Sequence, residues 1–385
     1  MEKEMSRFRL IVLTLIRVVL STAHRMIYPF ITIFARGLGV DVASVSALVA
    51  NRALVGAATP FIFPFIESRG RKFGMALGLV LFIAGMVLVV LSPSLTTLGI
   101  ALVLAMLAKA FFDPSVIAYI ADNSPYERRG LVTALSEVAW SSAGMIGVPL
   151  MGFLIVTFGW SSPFVSLGLL GVFSLAAVLS LVHDTHQVEA HKDGALGNVR
   201  AILTSPSVMA ALSIGLFSVA ANEMVNLMFG VWLEDSFHLQ IAALAGASAL
   251  IGLSELSGEG LVALFADRLG KVRATGLGIA ANCIAALLLP IIGRTEAGAL
   301  IGLFFFYISF EFIIVSQIPL MSEVMPKARA TTLSFNAAAH SLGRFFGSLS
   351  APLLYALGFS AVTGAALLVN LLALAAVWYV SKHHD

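Results

Sequence analysis

Eleven ionisable residues stand inside stretches of sequence that are otherwise apolar: Arg17, Arg25, Arg52, Lys109, Asp113, Glu137, Glu223, Glu255, Glu259, Glu311 and Arg344. On the lenient insertion scale, each charge costs about 2.5–3.5 kcal/mol at the centre of a membrane-spanning helix. Such residues must pair, give up their charge or line a wet cavity. They are also the groups able to hold a charged solute or carry a proton. Lys109 and Asp113 lie one helical turn apart, as do Glu255 and Glu259, and His340 and Arg344. Opposite charges neutralise each other in the first pair, whereas like charges in the second push one carboxyl toward the protonated form. A carboxyl that binds and releases a proton is what proton-coupled transport requires. Structural salt bridges to other helices account for Glu255 and Glu259 equally well. Glu311 stands in the aromatic run Phe304 to Phe312, where desolvation favours the neutral acid, and it is the first candidate proton carrier. Asp113 beside Lys109 is a further candidate.

The elements that must position these residues are helices in lipid. The chain of 385 residues is 59% hydrophobic and 11% charged, far below the roughly 25% charged residues of a soluble domain. Its mean hydropathy is +0.97. Runs of about 20 apolar residues suffice to cross the bilayer core as helix. Twelve are expected, at 10–35, 42–66, 73–92, 97–121, 130–157, 163–182, 207–233, 242–265, 274–292, 298–321, 330–357 and 360–380. This predicts an all-α integral membrane protein with two six-helix halves, residues 1–182 and 207–385, joined by a polar cytoplasmic linker at 183–206. The histidines of that linker, His183, His186 and His191, lack acidic or cysteine partners at a repeated spacing, so solvated side chains are expected there rather than a metal site. Val199, Ile202 and Leu203 around Arg200 suit a short amphipathic helix on the inner leaflet.

Arg17, His24 and Arg25 interrupt the first apolar run and no small-residue cleavage site follows, which is unlike a cleaved signal peptide. Lys3, Arg7, Arg9, Arg69, Arg71, Lys72, Arg128, Arg129, Lys192, Arg200, Arg268, Lys271, Arg273, Lys327, Arg329 and Lys382 all fall on one side of the spans, against Arg36 and Arg294 on the other. The positive-inside rule then puts both termini in the cytoplasm of a plasma-membrane, multi-pass protein. The net charge of +2 is thus a topology signal and not a nucleic-acid footprint. The single cysteine, Cys283, allows no intramolecular disulfide and reads as a small buried hydrophobe.

The two halves repeat. Glu67-Ser68-Arg69-Gly70-Arg71-Lys72 recurs 200 residues later as Asp267-Arg268-Leu269-Gly270-Lys271-Val272, and Ser124 to Arg129 aligns with Met325 to Ala330. Parallel halves in a polytopic chain point to a secondary transporter with its site at their interface. Through the duplication, His24 and Arg25 correspond to Asn222 and Glu223. The first half is rich in cations and the second in carboxylates, so attraction across the cleft is expected, with an Arg25 to Glu223 bridge closing an outer gate. Counting 1.5 Å per residue puts Lys109, Asp113, Glu255 and Glu311 roughly 14–20 Å from the inner surface. Residues expected to line a substrate cavity are Arg25, His24, Arg52, Lys109, Glu137, Asn222, Glu223, Asn226, His340 and Arg344. A lone buried histidine such as His24 or His340 more often serves as a hydrogen-bonded core residue than as a proton carrier.

Twelve spans, a central loop and the repeated turn resemble the major facilitator superfamily over essentially the whole chain. The family's turn reads Gly-x-x-x-Asp-Arg-x-Gly-Arg-Lys/Arg. The first copy here keeps Gly70, Arg71 and Lys72 but has Phe63, Glu67 and Ser68 in place of the leading Gly, Asp and Arg; the second keeps Asp267, Arg268, Gly270 and Lys271 and has Ala263 for the leading Gly. Gly suits the tight reversal and cations suit the helix end. The resemblance implies a cytoplasmic latch of Glu67, Gly70, Arg71, Asp122, Asp267, Arg268, Gly270, Lys271 and Glu323. In it, Glu67 would meet the start of span 11 near Thr331 and Asp267 the start of span 5 near Leu131. Asp122 and Glu323 are the natural partners of Arg71 and Lys271. The same charges also fit simple anchoring of loops at the headgroups.

Gly144, Gly147, Pro149 and Gly152 in span 5 resemble the signature of the drug:proton antiporter branch, with Val148 and Phe153 in place of two glycines. Close helix packing by small residues explains much of that pattern unaided. Lys109 stands where that branch has a span-4 Arg, and Asp113 where its motif has Gly. By resemblance spans 3, 6, 9 and 12 face lipid, and none of the eleven charges falls in them. No phosphate-binding Gly-x-x-x-x-Gly-Lys-Ser/Thr loop, His-Glu-x-x-His or Gly-x-Ser-x-Gly motif occurs, so no enzyme, cofactor or ATP drive is expected. The expectation is a monomeric, proton-coupled transporter that exports an amphipathic organic or lipid-like small molecule. Its partners are substrate, protons and the lipid bilayer, with no nucleic acid. A symporter of a zwitterionic solute and a non-transporting sensor or scaffold are the alternatives.

Overall fold

The computed structural model describes residues 6–67, 69–123, 138–183, 201–325 and 329–383; for residues 63–67, 121, 267 and 330 it describes backbone only. Among these residues there are helices and no strands. In chain order they are α1 (Arg7–Arg25), α2 (Ile31–Leu38), α3 (Val42–Glu67), α4 (Arg71–Leu91) and α5 (Leu95–Asp122). Then come α6 (Val138–Phe158) and α7 (Ser162–Leu181). The remainder are α8 (Pro206–Phe237), α9 (Ile241–Leu269), α10 (Lys271–Ile292), α11 (Glu296–Val324), α12 (Arg329–Tyr355) and α13 (Phe359–His383). Ten of them, α3 to α11 and α13, are long and apolar enough to cross a membrane. The two other long helices, α1 and α12, hold much of the chain's helical polarity: Arg7, Arg9, Arg17, His24 and Arg25 in one, Arg329, Asn336, His340 and Arg344 in the other.

Two compact units form, Met1–Ala190 with Ile241–Gly252, and His191–Gln240 with Leu253–Asp385. In the first, the expected single span at 10–35 is broken. Ser6 caps α1 by accepting the Arg9 backbone N–H at 3.2 Å, and α1 stops at Arg25. The cause is Pro29, whose ring conflicts with the carbonyl four residues earlier and which offers no N–H to it. The chain turns through residues 26–30 before α2 resumes, and Gly39 ends α2 in a left-handed conformation, φ 68°. Asp41 then caps α3, its Oδ1 accepting the Ser44 N–H at 2.8 Å. Hydrogen bonds from the Ser44 side chain and backbone hold the Asp41 carboxyl below the ordinary carboxylate range.

Helices within each unit approach closely through small residues. A Cβ at Gly78 on α4 would lie 2.7 Å from the Ala108 carbonyl oxygen of α5, and one at Gly343 on α12 would overlap the Leu216 oxygen of α8. The second unit also has a polar brace in the helices the sequence reading left uncharged. Asn282 of α10 donates to the Phe306 carbonyl at 2.7 Å and to Ser309 at 2.9 Å, and Asn370 of α13 donates to Asn282 Oδ1 at 2.7 Å; both asparagines are fully buried. In lipid such bonds replace the water the groups would otherwise seek.

The repeated turns are tight. Gly70 (φ 100°, ψ 156°) joins α3 to α4, and Gly270 (φ 79°, ψ 144°) joins α9 to α10, a backbone region open essentially to glycine alone. Gly70→Ala and Gly270→Ala are each expected to cost about 1–3 kcal/mol. Gly364→Ala, inside α13 with open space around it, is expected to be neutral or mildly stabilising. Thermal melts of the three purified variants check this, and equal melting points would refute it.

Candidate functional site

In the first unit, α1 and α5 bring together a partly buried triad. Asp113 accepts from Lys109 Nζ at 2.6 Å through Oδ2 and from Arg17 Nε at 3.2 Å through Oδ1. Lys109 also donates to Ser21 Oγ at 3.0 Å. Periodicity explains the first contact, since residues four apart share a helix face. Arg17 comes from ninety-six positions away in the chain and was read from the sequence only as a buried charge in need of a partner. Asp113 immediately precedes Pro114, which removes one backbone hydrogen bond from α5 at this turn. Two cations share one carboxylate, so the triad carries a surplus positive charge.

One turn beyond Ser21 along α1, the break in span 1 is itself held by charge. Arg52 of α3, 2% exposed, donates to the carbonyl of His24 at 3.1 Å and to the hydroxyl of Tyr28 at 3.0 Å. The His24 oxygen belongs to the last turn of α1, where carbonyls lack helical partners, and a guanidinium supplies the missing donor. Arg52, expected in a substrate cavity, is thus engaged in bracing the discontinuous helix. Arg25 lies over the Trp140 ring, 4.7 Å from its centroid, Lys109 Nζ lies 5.3 Å from the same centroid, and the His24 ring is 5.9 Å away. Trp140 was missed by the sequence reading; its only signal was an aromatic residue three positions after Glu137.

The glycines of α6 serve this arrangement. Residues Ala143–Gly147 form a π-helical segment, the wide-turn insertion that recurs at functional sites. A Cβ on Gly144 would fall 2.9 Å from Arg25 Nη2 and 3.2 Å from Gly252 Cα, and one on Gly147 would overlap Thr22 Oγ1 of α1. Gly152 packs on Ala245, and Gly252 packs on the backbone of residues 141 and 145. The segment that resembles the antiporter signature is therefore the surface against which α1 and Ile241–Gly252 close.

In the second unit the carboxylates gather on two surfaces. Glu223 of α8, 1% exposed, accepts from Ser348 Oγ of α12 at 2.7 Å and packs against Gly347. Beside it Asn222 is buried, and Asn226 Oδ1 accepts from the Tyr307 hydroxyl at 2.7 Å. On the other surface Glu311 of α11 lies against Gly258 of α9, where a Cβ would meet the Glu311 stem and the Ile308 carbonyl at 2.8 Å. In the sequence of α9, Gly258 stands between Glu255 and Glu259. Glu255 and Glu311 are buried, Glu259 half-buried. His340 Nε2 is 3.2 Å from Gln317 Oε1, and Gln317 donates its amide N–H to the Ala211 carbonyl at 3.1 Å. That bond leaves the Gln317 oxygen as acceptor, which assigns the proton to His340 Nε2. Arg344 follows one turn later, half-buried.

At the repeated turns, Arg71 Nε is 3.5 Å from Asp122 Oδ2, and Lys271 pairs with Glu323 in the equivalent place of the other unit. Arg268 is exposed in the last turn of α9. Glu137, Leu131 and the segment Ser124 to Arg129 lie outside the described residues, as do the side chains of Glu67 and Asp267.

The Major Facilitator Superfamily family model matches residues 13–347. The chain belongs to the major facilitator superfamily. It is similar to the uncharacterized MFS-type transporter YwfA of Bacillus subtilis (strain 168), 24% identical over 347 residues covering 88% of this chain and 83% of that protein. It is also similar to the inner membrane transport protein YdhP of Escherichia coli (strain K12), 26% identical and covering 82% and 80%. A crystal structure of the peptide transporter POT in complex with sulfate superposes with a TM-score of 0.79 over 98% of this chain and 97% of that one; at 13% identity this shows the shared fold alone. The protein is accordingly a membrane-spanning major facilitator transporter acting on small molecules, in a family that does not comprise enzymes.

Within this transporter, the triad makes an unequal prediction. Asp113→Asn takes this carboxylate from the buried Arg17 and the half-buried Lys109, a loss of up to about 3–5 kcal/mol, whereas Lys109→Gln leaves Arg17 and Asp113 paired. The first is expected to lower the melting temperature well below the second, and adding Lys109→Gln to Asp113→Asn is expected to recover part of the loss. A double-mutant thermal cycle checks it; additive losses would argue that the three groups do not act together.

Proposed function

We propose that this transporter is a proton-coupled secondary exporter of an amphipathic organic or lipid-like molecule, working by alternating access as a monomer. In this reading α1 with α2, and α12, complete twelve spans in two six-helix halves, 1–182 and 207–385, with 183–206 as a cytoplasmic linker. Both termini lie in the cytoplasm of the plasma membrane, in keeping with an inner membrane transport protein among the relatives. The observation that supports proton coupling is that Glu311, a carboxyl inside a membrane-spanning helix, packs against Gly258 of α9, the helix that also carries Glu255 and Glu259. A carboxyl in such a place that binds and releases a proton is suited to exchange one in each transport cycle. Support for export comes from the glycines of α6 and from Lys109 at the place of the antiporter branch's span-4 cation. The repeated pairs Arg71 with Asp122 and Lys271 with Glu323 suit the cytoplasmic latch, each tying the turn of its own unit to the inner end of a neighbouring helix.

Substrate-driven pH change in pyranine-loaded proteoliposomes tests the reading. Export coupled to protons acidifies or alkalinises the lumen according to orientation; an uncoupled carrier changes nothing. Glu311→Gln mimics the protonated acid and is expected to abolish proton-driven net transport while substrate counterflow persists. Glu255→Gln is expected to do the same if Glu255 and Glu259 carry the proton instead, so the two substitutions decide between the sites. Wild-type gradient dependence in both variants would remove both sites from the mechanism.

A further inference from the structure

We infer that a groove along α10, between α9 and α11, binds a zwitterionic glycerophospholipid of the ethanolamine type. One acyl chain lies in the groove, the phosphate on Arg294 and the ammonium on Glu296. The groove has a volume of about 490 Å³. Gly278, Ala281 and Ala285 share one face of α10 and leave it open, and Ile284, Phe305 and Phe312 border it. Its lining side chains are apolar except for Ser309, whose hydroxyl already donates to the Phe305 carbonyl at 2.8 Å and accepts from Asn282 at 2.9 Å. Nothing there rewards a polar guest. Ile284 and Phe305 are 58% and 57% exposed, so the groove opens outward, and all three helices are long and apolar enough to cross a membrane. Lipid hydrocarbon is what such exposed faces meet, and a chain in the groove continues that interface.

Depth fixes where the headgroup falls. The 22 residues of α10 make about 33 Å of helix against a hydrocarbon core of about 30 Å, so the turn after it lies at headgroup level. From Gly278 to Ile292 the groove follows α10 for about 21 Å and ends two residues before Arg294. That turn is pinned. A Cβ on Gly293 would lie 2.7 Å from the Trp232 ring, which stacks on Phe359 at 3.9 Å, and Thr295 Oγ1 accepts the Gly298 N–H at 3.1 Å. Arg294 and Glu296 are exposed on it, and among the described residues neither forms an ion pair. A cation and an anion two positions apart match the phosphate and the ammonium of one headgroup. The guanidinium offers paired N–H donors to phosphate, and the carboxylate accepts from a primary ammonium, which a choline headgroup lacks.

Native mass spectrometry tests this on the full chain, delipidated in detergent and offered equal amounts of phosphatidylethanolamine, phosphatidylcholine and phosphatidylglycerol with the same acyl chains. The ethanolamine lipid is expected to be retained at least about threefold above either of the others, the scale of one exposed ion pair. Ala281→Phe, at an exposed position on the groove floor, should lower retention of all three. Glu296→Gln should remove the preference over the choline lipid, and Arg294→Gln should weaken retention of every phospholipid. Equal retention of the three lipids by the wild-type chain, or retention unchanged by Ala281→Phe, would overturn the inference, and the first comparison needs no variant. A dimer in place of lipid adducts, lost in Ala281→Phe, would also overturn it by assigning the groove to a second copy of the chain.

Discussion

A polar group inside a bilayer has no water to turn to, and this one constraint organises the interior of the protein. Every charge placed within the spans has to be met by another part of the chain, at a cost that rises steeply if the partner is lost. Asp113 is met twice, by Lys109 from its own helix and by Arg17 from α1. Arg52 spends its donors on a carbonyl that the break in span 1 exposes and on Tyr28. Asn282 and Asn370 close on each other and on α11. Partnering of this kind fixes helix rotation, because a bond of under about 3.2 Å tolerates little slippage.

Contact of this precision also needs helices that come close, and the glycines supply it. At Gly144, Gly147, Gly258 and Gly347 the missing side chain is occupied by Arg25, Thr22, Glu311 and Glu223 respectively. In each case a functional or buried polar side chain lies where a Cβ would have stood. Packing and chemistry are therefore not separable here. A methyl group added for helix propensity would displace the charge that the neighbouring helix carries.

The duplication shows which features are architectural. The turns at Gly70 and Gly270, with the pairs Arg71–Asp122 and Lys271–Glu323, are retained in both halves. Interior charge is not retained. The described spans of the first unit hold Arg17, Arg25, Arg52 and Lys109 against Asp113, while those of the second hold Glu223, Glu255, Glu259 and Glu311 against Arg344. Divergence of that kind after duplication is expected where the scaffold must stay the same and the ligand site must become asymmetric.

Local physics made much of this legible in the sequence. Hydropathy marked the ten described helices long and apolar enough to span to within a few residues, apart from the start of α6, which lies outside the described residues, since apolar length is set by bilayer thickness. Gly70 and Gly270 announced positive-φ turns, because backbone sterics act at a single residue. The Lys109–Asp113 contact followed from helical periodicity. Pro29 held the same kind of local information, yet the apolar stretch around it masked the break. What the tertiary structure alone decided was which distant side chains meet. Arg17 reached Asp113, Arg52 the end of α1, Trp140 two cations, and Glu311 the glycine between Glu255 and Glu259. Each of those meetings depends on the crossing and rotation of whole helices, which are set by many small contacts at once and leave no periodic mark on either helix.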